Sequence, residues 1–219
     1  MKQKNIQWNN KVAKYSLLAS AALTMLNACG KDEEDPNDPD INETDINPDI
    51  SLSAPINNVA LREFDLNNDG IMDVVVGIDN YTSSYQLPTD INNSYVEGVN
   101  GTELLTQEET FTFNSVYYGP ISYTEVVVKP LAEGNTIGPS QDIWDDYGFL
   151  GITGVYYGEN VRVGQFLGQD KYVGLRIQTA GNTHYAWMRL SLSNDGSTVT
   201  VKEYAYRETP FTPINAGDK

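Results

Sequence analysis

Thr183-His184-Tyr185-Ala186-Trp187-Met188-Arg189-Leu190-Ser191-Leu192 decides the fold class. Ala186, Met188, Leu190 and Leu192 fall on one side of an extended chain, and Tyr185, Trp187 and Arg189 fall on the other. That period of two is the signature of a strand. The stretch before it behaves the same way: across Tyr172–Thr179, Val173, Leu175 and Ile177 share a face. After it, Asn194-Asp195-Gly196 is a turn signal, and a further strand is expected over Ser197–Arg207.

Working outward, the same texture covers the chain back to about Ile50. Strands are expected at Asn58–Phe64, Ile71–Ile78, Thr110–Tyr118, Ile121–Val128, Gly148–Tyr157 and Val161–Leu167. Residues 79–109 read as a long loop region with one strand near Ser84–Leu87. Residues 129–147, punctuated by Pro130, Gly134, Gly138 and Pro139, read as irregular. Short strands separated by turn signals, with no sustained helical period, predict an all-β domain over residues 50–219. The expected form is an antiparallel β-sandwich or jelly-roll. Its 170 or so residues are enough for one real core.

Residues 1–28 have a different character. Lys2, Lys4, Lys11 and Lys14 precede an apolar run from Tyr15 to Leu26, and no acid is present. This is the pattern of a secretory signal peptide. The apolar run is too short to span a hydrocarbon core of roughly 30 Å. Leu26-Asn27-Ala28-Cys29 resembles the bacterial lipobox, in which the Cys thiol receives a diacylglycerol. That resemblance implies lipidation at Cys29 and membrane attachment through the lipid. Gly30, rather than Asp, follows the Cys, and Lys31-Asp32-Glu33-Glu34-Asp35 looks like the surface-export signal of some Gram-negative lipoproteins. The expected location is therefore the outer membrane, facing the exterior. Cys29 is also the only cysteine, so the folded domain has no internal disulfide and no thiol chemistry.

Residues 31–49 hold nine acids, one base, Pro36, Pro39 and Pro48, and little apolar content. Such a segment buries too little to offset its ordering entropy, and an extended acidic tether is expected over 29–49. The whole chain carries 14 basic and 30 acidic residues, for a net charge of −16. Four of the basic residues lie in the leader, so its removal leaves −20. A surface this acidic repels phosphate backbones and excludes nucleic-acid binding. Divalent cations, neutral glycans and protein ligands remain compatible.

The strongest chemical motif is Asp65-Leu66-Asn67-Asn68-Asp69-Gly70-Ile71-Met72-Asp73. Asp65, Asn67, Asp69 and Asp73 offer oxygens at alternate or near-alternate positions, and Ile71 can add its carbonyl. A hard cation such as Ca2+ takes six to eight oxygens arranged in this way, with Gly70 permitting the sharp turn. Val76 stands where an EF-hand has its bidentate Glu. The motif instead resembles the calcium loops of FG-GAP repeats and dockerin-like segments, which implies a structural calcium of modest affinity, on the order of 10⁻⁴–10⁻³ M. Asn68-Asp69-Gly70 also serves as a plain hairpin turn without metal.

The last third carries a second resemblance. Tyr172-Val173-Gly174-Leu175-Arg176-Ile177, His184-Tyr185-Ala186-Trp187-Met188-Arg189-Leu190, Tyr204-Ala205-Tyr206 and Ile214-Asn215-Ala216-Gly217 are similar to the C-terminal part of β-rich domains in bacterial secreted proteins with PEP-CTERM sorting tails. Ala186 departs from the usual Gly of that pattern. The resemblance implies a β-rich secreted domain and no specific activity.

No catalytic residue is assigned. His184, the only histidine, sits in an alternating strand, and no G-x-S-x-G elbow exists for it to serve. Glycan processing by paired carboxylates is the alternative activity, and Glu125, Asp142, Asp145, Asp146 and Glu203 supply acids for it. A binding surface is the main expectation. Trp144, Asp145, Asp146 and Tyr147 form the candidate ligand loop, an aromatic pair flanking carboxylates. Tyr117, Tyr118, Tyr156, Tyr157 and Trp187 can either add stacking surface or pack across strands.

Overall fold

In the computed structural model the described residues are 38, 40–83, 89–115, 119–141, 143–156 and 159–219. The chain divides into two units, Met1–Asp38 and Pro39–Lys219. The second is all-β, with no helix among its described residues.

Its strands are β1 (Ile41–Leu52), β2 (Asn58–Phe64), β3 (Val74–Ser83), β4 (Thr89–Gly98), β5 (Glu103–Ser115), β6 (Gly119–Val128), β7 (Thr136–Ile137), β8 (Trp144–Asp145), β9 (Tyr147–Tyr156), β10 (Glu159–Val163), β11 (Asp170–Thr179), β12 (Asn182–Leu192), β13 (Val199–Arg207) and β14 (Ile214–Asn215). Ten of them run β1-β13-β12-β11-β5-β6-β9-β4-β3-β2 in one sheet. β10 joins at β9 and β8 joins at β5, making twelve strands in all. Every pairing is antiparallel except β6 with β9. The two layers expected of a sandwich are thus opposite walls of a single sheet that nearly closes into a barrel.

The enclosed core draws on all ten strands of that path. Phe64, Val76, Val96, Leu104, Val128, Leu150, Leu175, Met188 and Val201 point inward, and Ile46 and Ile50 of β1 pack against them. β11 to β13 are apolar on their outer face as well, and a second core explains this. The segment from Leu131 to Ile137 and the C-terminal Ile214 and Ala216 lie over Tyr172, Tyr185 and Trp187. β7 pairs with β14 to hold this cover together. Gly174, opposite Trp187 in register, lets the cover approach: a Cβ there would sit 3.1 Å from Leu131 and 3.3 Å from Ile137. The irregular stretch in the sequence is therefore the lid over Trp187. A third cluster joins Ile91, Phe113, Val127, Ile152, Val161 and Val163.

Two expectations are corrected here. The acidic segment does not stay outside the fold through residue 49, because Ile41–Leu52 pairs with β13. Ile46 and Ile50 anchor one face on the core, while the acids that suggested disorder lie along an edge strand. Residues 79–109 are not mainly loop: β3 runs to Ser83, and β4 and the start of β5 follow. Several of their polar side chains find partners across the sheet, Asn92 with Thr153 among them. Buried Ser94 donates to the Gly196 carbonyl at 2.9 Å, for example. The strand expected near Ser84–Leu87 lies outside the described residues.

A charged network ties β11, β12, β13, β1 and the C-terminus. Arg189 donates to Asp170 at 2.9 Å and to Glu203 at 2.9 Å, Lys202 reaches Asp170 at 2.7 Å, and Lys219 reaches both Glu203 and Glu43. Burial raises the carboxyls of Glu203 and Asp170, but the hydrogen bonds from Arg189 and from the lysines outweigh it. Both are held below the ordinary value. A depressed carboxyl stabilises the fold above its unfolded pKa, about 4, and that contribution disappears as pH falls through the folded value. Thermal midpoints measured from pH 6 down to pH 2.5 are expected to drop on the acid side. Arg189→Gln should flatten that drop; an unchanged acid slope in R189Q refutes the assignment.

Candidate functional site

The loop from Asp65 to Asp73 joins β2 to β3 at the end of the barrel wall. Leu66 plugs it into the core at 1 % exposure, and the Asp73 N–H donates to the Phe64 carbonyl at 2.8 Å. Asn68 and Gly70 take left-handed φ values of 57° and 87°, which Asn and Gly accept most readily. The side chains organise the loop from within. Asp65 accepts from the N–H groups of Asp69 and Gly70, at 3.2 and 2.8 Å. Asn67 accepts from the Asp69 N–H, and Asp69 from the Ile71 N–H. Asp73, 4 % exposed, accepts from the Leu66 N–H at 2.8 Å. Burial pushes the Asp73 carboxyl up to about 6, against the hydrogen bond from Leu66, and the negative charges of Asp69 and Asp65 add to the rise.

The donor set is all oxygen, as a hard cation requires. Each carboxylate oxygen keeps a lone pair beyond the N–H bond it accepts. The side chains are turned toward the loop's own amides, and among the described residues no three acidic, His or Cys side chains are gathered into a ready cage. Ile71 is 53 % exposed at the tip.

The Trp144–Tyr147 loop is split between two aromatic clusters. β8 pairs Trp144 with Leu105 and Asp145 with Leu104. Trp144 is half-buried against Tyr185 at 6.2 Å, carries the Arg176 guanidinium over its ring at 4.9 Å, and donates its Nε1–H to the Gln141 carbonyl. Arg176 is in turn paired with Glu103. Tyr147 turns to the other cluster: it stacks on Tyr95 at 5.5 Å and meets the edge of Phe149 at 5.2 Å. Asp146 is exposed, and its carbonyl accepts from the Gly98 N–H. The four residues therefore do not share one ring-lined cleft.

His184 is 8 % exposed, stacked on Tyr206, with Nδ1 3.1 Å from the Arg207 carbonyl. Trp187 is fully buried, and Glu203 is engaged by Arg189 and Lys219. Cys29, Asp142, Tyr117, Tyr118 and Tyr157 lie outside the described residues.

Two features escaped the sequence reading. The first is an open groove of about 240 Å³ between β1 and β2, the two ends of the strand path, lined by Ile46, Ile50, Arg62, Phe64, Met72 and Tyr204. The second is the pair Tyr95–Tyr147, built over Gly77. A glycine inside a strand is a sign that something approaches the backbone closely, and Gly77 carried that sign.

The fold and this loop define an all-β domain with an oxygen-rich turn at one end of its wall. No family model matches the chain, and no curated protein or solved structure does so either.

Proposed function

We propose that this chain is an outer-membrane lipoprotein, attached through Cys29 and exposed at the cell surface. Its β-domain is held at the Asp65–Asp73 loop by a structural calcium and acts as an extracellular binding or envelope structural module. The observation that carries the calcium reading is the position of Asp73: a carboxylate buried beside core Leu66, with Asp65 and Asp69 on the same short loop. A buried carboxylate close to other carboxylates is retained at a cost unless a cation neutralises it. The calcium's chemistry is neutralisation and cross-linking of the loop, which pins β2 to β3. The basic leader, the apolar run and the lone cysteine at its end support the anchor.

The anchor is tested by expressing the full chain in a Gram-negative host and separating membranes. The wild type should partition with the outer membrane and yield a Cys29-linked acyl thioether peptide by mass spectrometry. Cys29→Ser should release the chain from the membrane. A C29S protein that stays membrane-bound removes the lipoprotein reading.

A further inference from the structure

β2, β3, β4 and β9 lie side by side, and β6 follows β9. Their registers align two cross-strand rows on the face opposite the main core. One row is Glu63, Val75, Glu97 and Tyr147. The other is Leu61, Gly77, Tyr95, Phe149 and Val127. Glu125, two residues before Val127 on β6, shares that face by strand alternation. Tyr95 lies flat across Gly77: a Cβ there would meet its ring at 2.3 Å. The glycine thus provides the floor on which Tyr95 rests, and Tyr147 stacks beside it. The charged groups acting on the Tyr147 phenol are Glu97, Asp79 and Glu125, all negative. Glu97 is exposed, and next to the rings β2 presents Leu61 and Val59, each 55 % exposed.

We propose that this face docks a basic, extended peptide segment of a partner protein, with a Lys or Arg head group against the Tyr95–Tyr147 pair and between Glu97 and Glu125. The charge pattern selects this occupant. Aromatic rings and carboxylates together attract a cation, and each is stronger when the other excludes water. A neutral glycan leaves the carboxylates uncompensated, and an anionic partner is repelled. Leu61 and Val59 form an apolar shoulder for the side chains that alternate with the basic ones. This deepens the binding-module reading by naming the partner's chemistry. Anchoring and calcium dependence have their own readouts, so this proposal can fail without them.

The test is fluorescence anisotropy of the full chain with a labelled nonapeptide of alternating lysine and valine, at physiological salt. The lysine peptide should bind, and the same peptide with every lysine acetylated should bind about tenfold more weakly or less. The double variant Glu97→Gln/Glu125→Gln should lose about fivefold or more in affinity. Glu133→Gln/Glu208→Gln, which removes two exposed acids elsewhere, should stay within about twofold. Should E97Q/E125Q melt below the wild type, E97Q alone, at an exposed position, replaces it. Absence of binding, equal binding of the acetylated peptide, or equal losses in the two double variants overturns the proposal. The last outcome would mean only general attraction to an acidic surface.

Discussion

Trp187→Ala is expected to lower the thermal midpoint by about 10 °C or more, the largest single effect in the domain. Trp187 has no exposed surface and sits at the centre of the second core, against Leu105, Leu131, Ile214 and Ala216. It meets the edge of Tyr172 at 5.3 Å and donates its Nε1–H to the Asp218 carbonyl at 3.2 Å. Truncating a buried aromatic to Ala costs about 3–5 kcal/mol, from lost burial and from the cavity left behind. In a domain of this size each kcal/mol moves the midpoint by about 2–4 °C. Trp187→Phe keeps most of the packing but loses the bond to Asp218, so its cost should be about 1–2 kcal/mol. Denaturant melts of the two variants measure both terms. If W187A lies within about 1 kcal/mol of wild type, the 131–137 segment and the C-terminal tail do not form the cover described here.

The Asp73 series is expected to have the next largest effect, and it separates the loop's two roles. Asp73→Ala removes the acceptor for the Leu66 N–H and opens space at a buried site. It should cost about 1–3 kcal/mol in chelator, and more than that in calcium, where the wild type also gains the cation's stabilisation. Asp73→Asn keeps an acceptor but drops the buried charge beside Asp65 and Asp69. In chelator D73N should match or exceed the wild type, because the like-charge repulsion is gone. In calcium only the wild type should gain. At tenfold excess over its dissociation constant, a ligand specific to the native state adds about 1.4 kcal/mol, or about 3–5 °C. A wild-type midpoint that is the same in calcium and in chelator refutes the metal reading. A D73N protein that gains as much as wild type moves the cation to another site.

What the sequence made legible follows from how one-sided each strand is. β11 and β12 alternate cleanly, and their inner residues Val173, Leu175, Ile177, Met188 and Leu190 can be named from the pattern alone. The pattern also puts Trp187 on the opposite face. It gives no hint that this face is covered, because the cover comes from Leu131 and Ile214, far away in the chain. β1 was hidden for the converse reason. Only Ile46, Ile50 and Leu52 of its twelve residues touch the main core, and local composition is dominated by acids and proline. Pairing with β13, a long-range event, outweighs local composition there. β4 was hidden because Asn92 and Ser94 look like loop residues until partners from Thr153 and Gly196 are in place.

The candidate site divides along the same line. The Asp65–Asp73 loop is contiguous in sequence, so its donors could be read directly. The Tyr95–Tyr147 pair joins strands about fifty residues apart, and only the β4–β9 register brings it together. Trp144, three residues before Tyr147 in the same loop, faces Arg176 and Tyr185 instead.

A sheet that nearly closes still has a first and a last strand, and an open edge is a template on which another chain can add itself. On β1 that edge carries Glu43, Asp45 and Asp49, with Pro48 lacking an N–H to offer. A second copy approaching edge to edge would bring like charges together and find a gap in the hydrogen-bond ladder. Acids that in isolation suggest a solvated spacer therefore also act as gatekeepers against zippering. They keep neighbouring copies separate, and replacing Asp45 and Asp49 with Val would remove that protection before it disturbed the core.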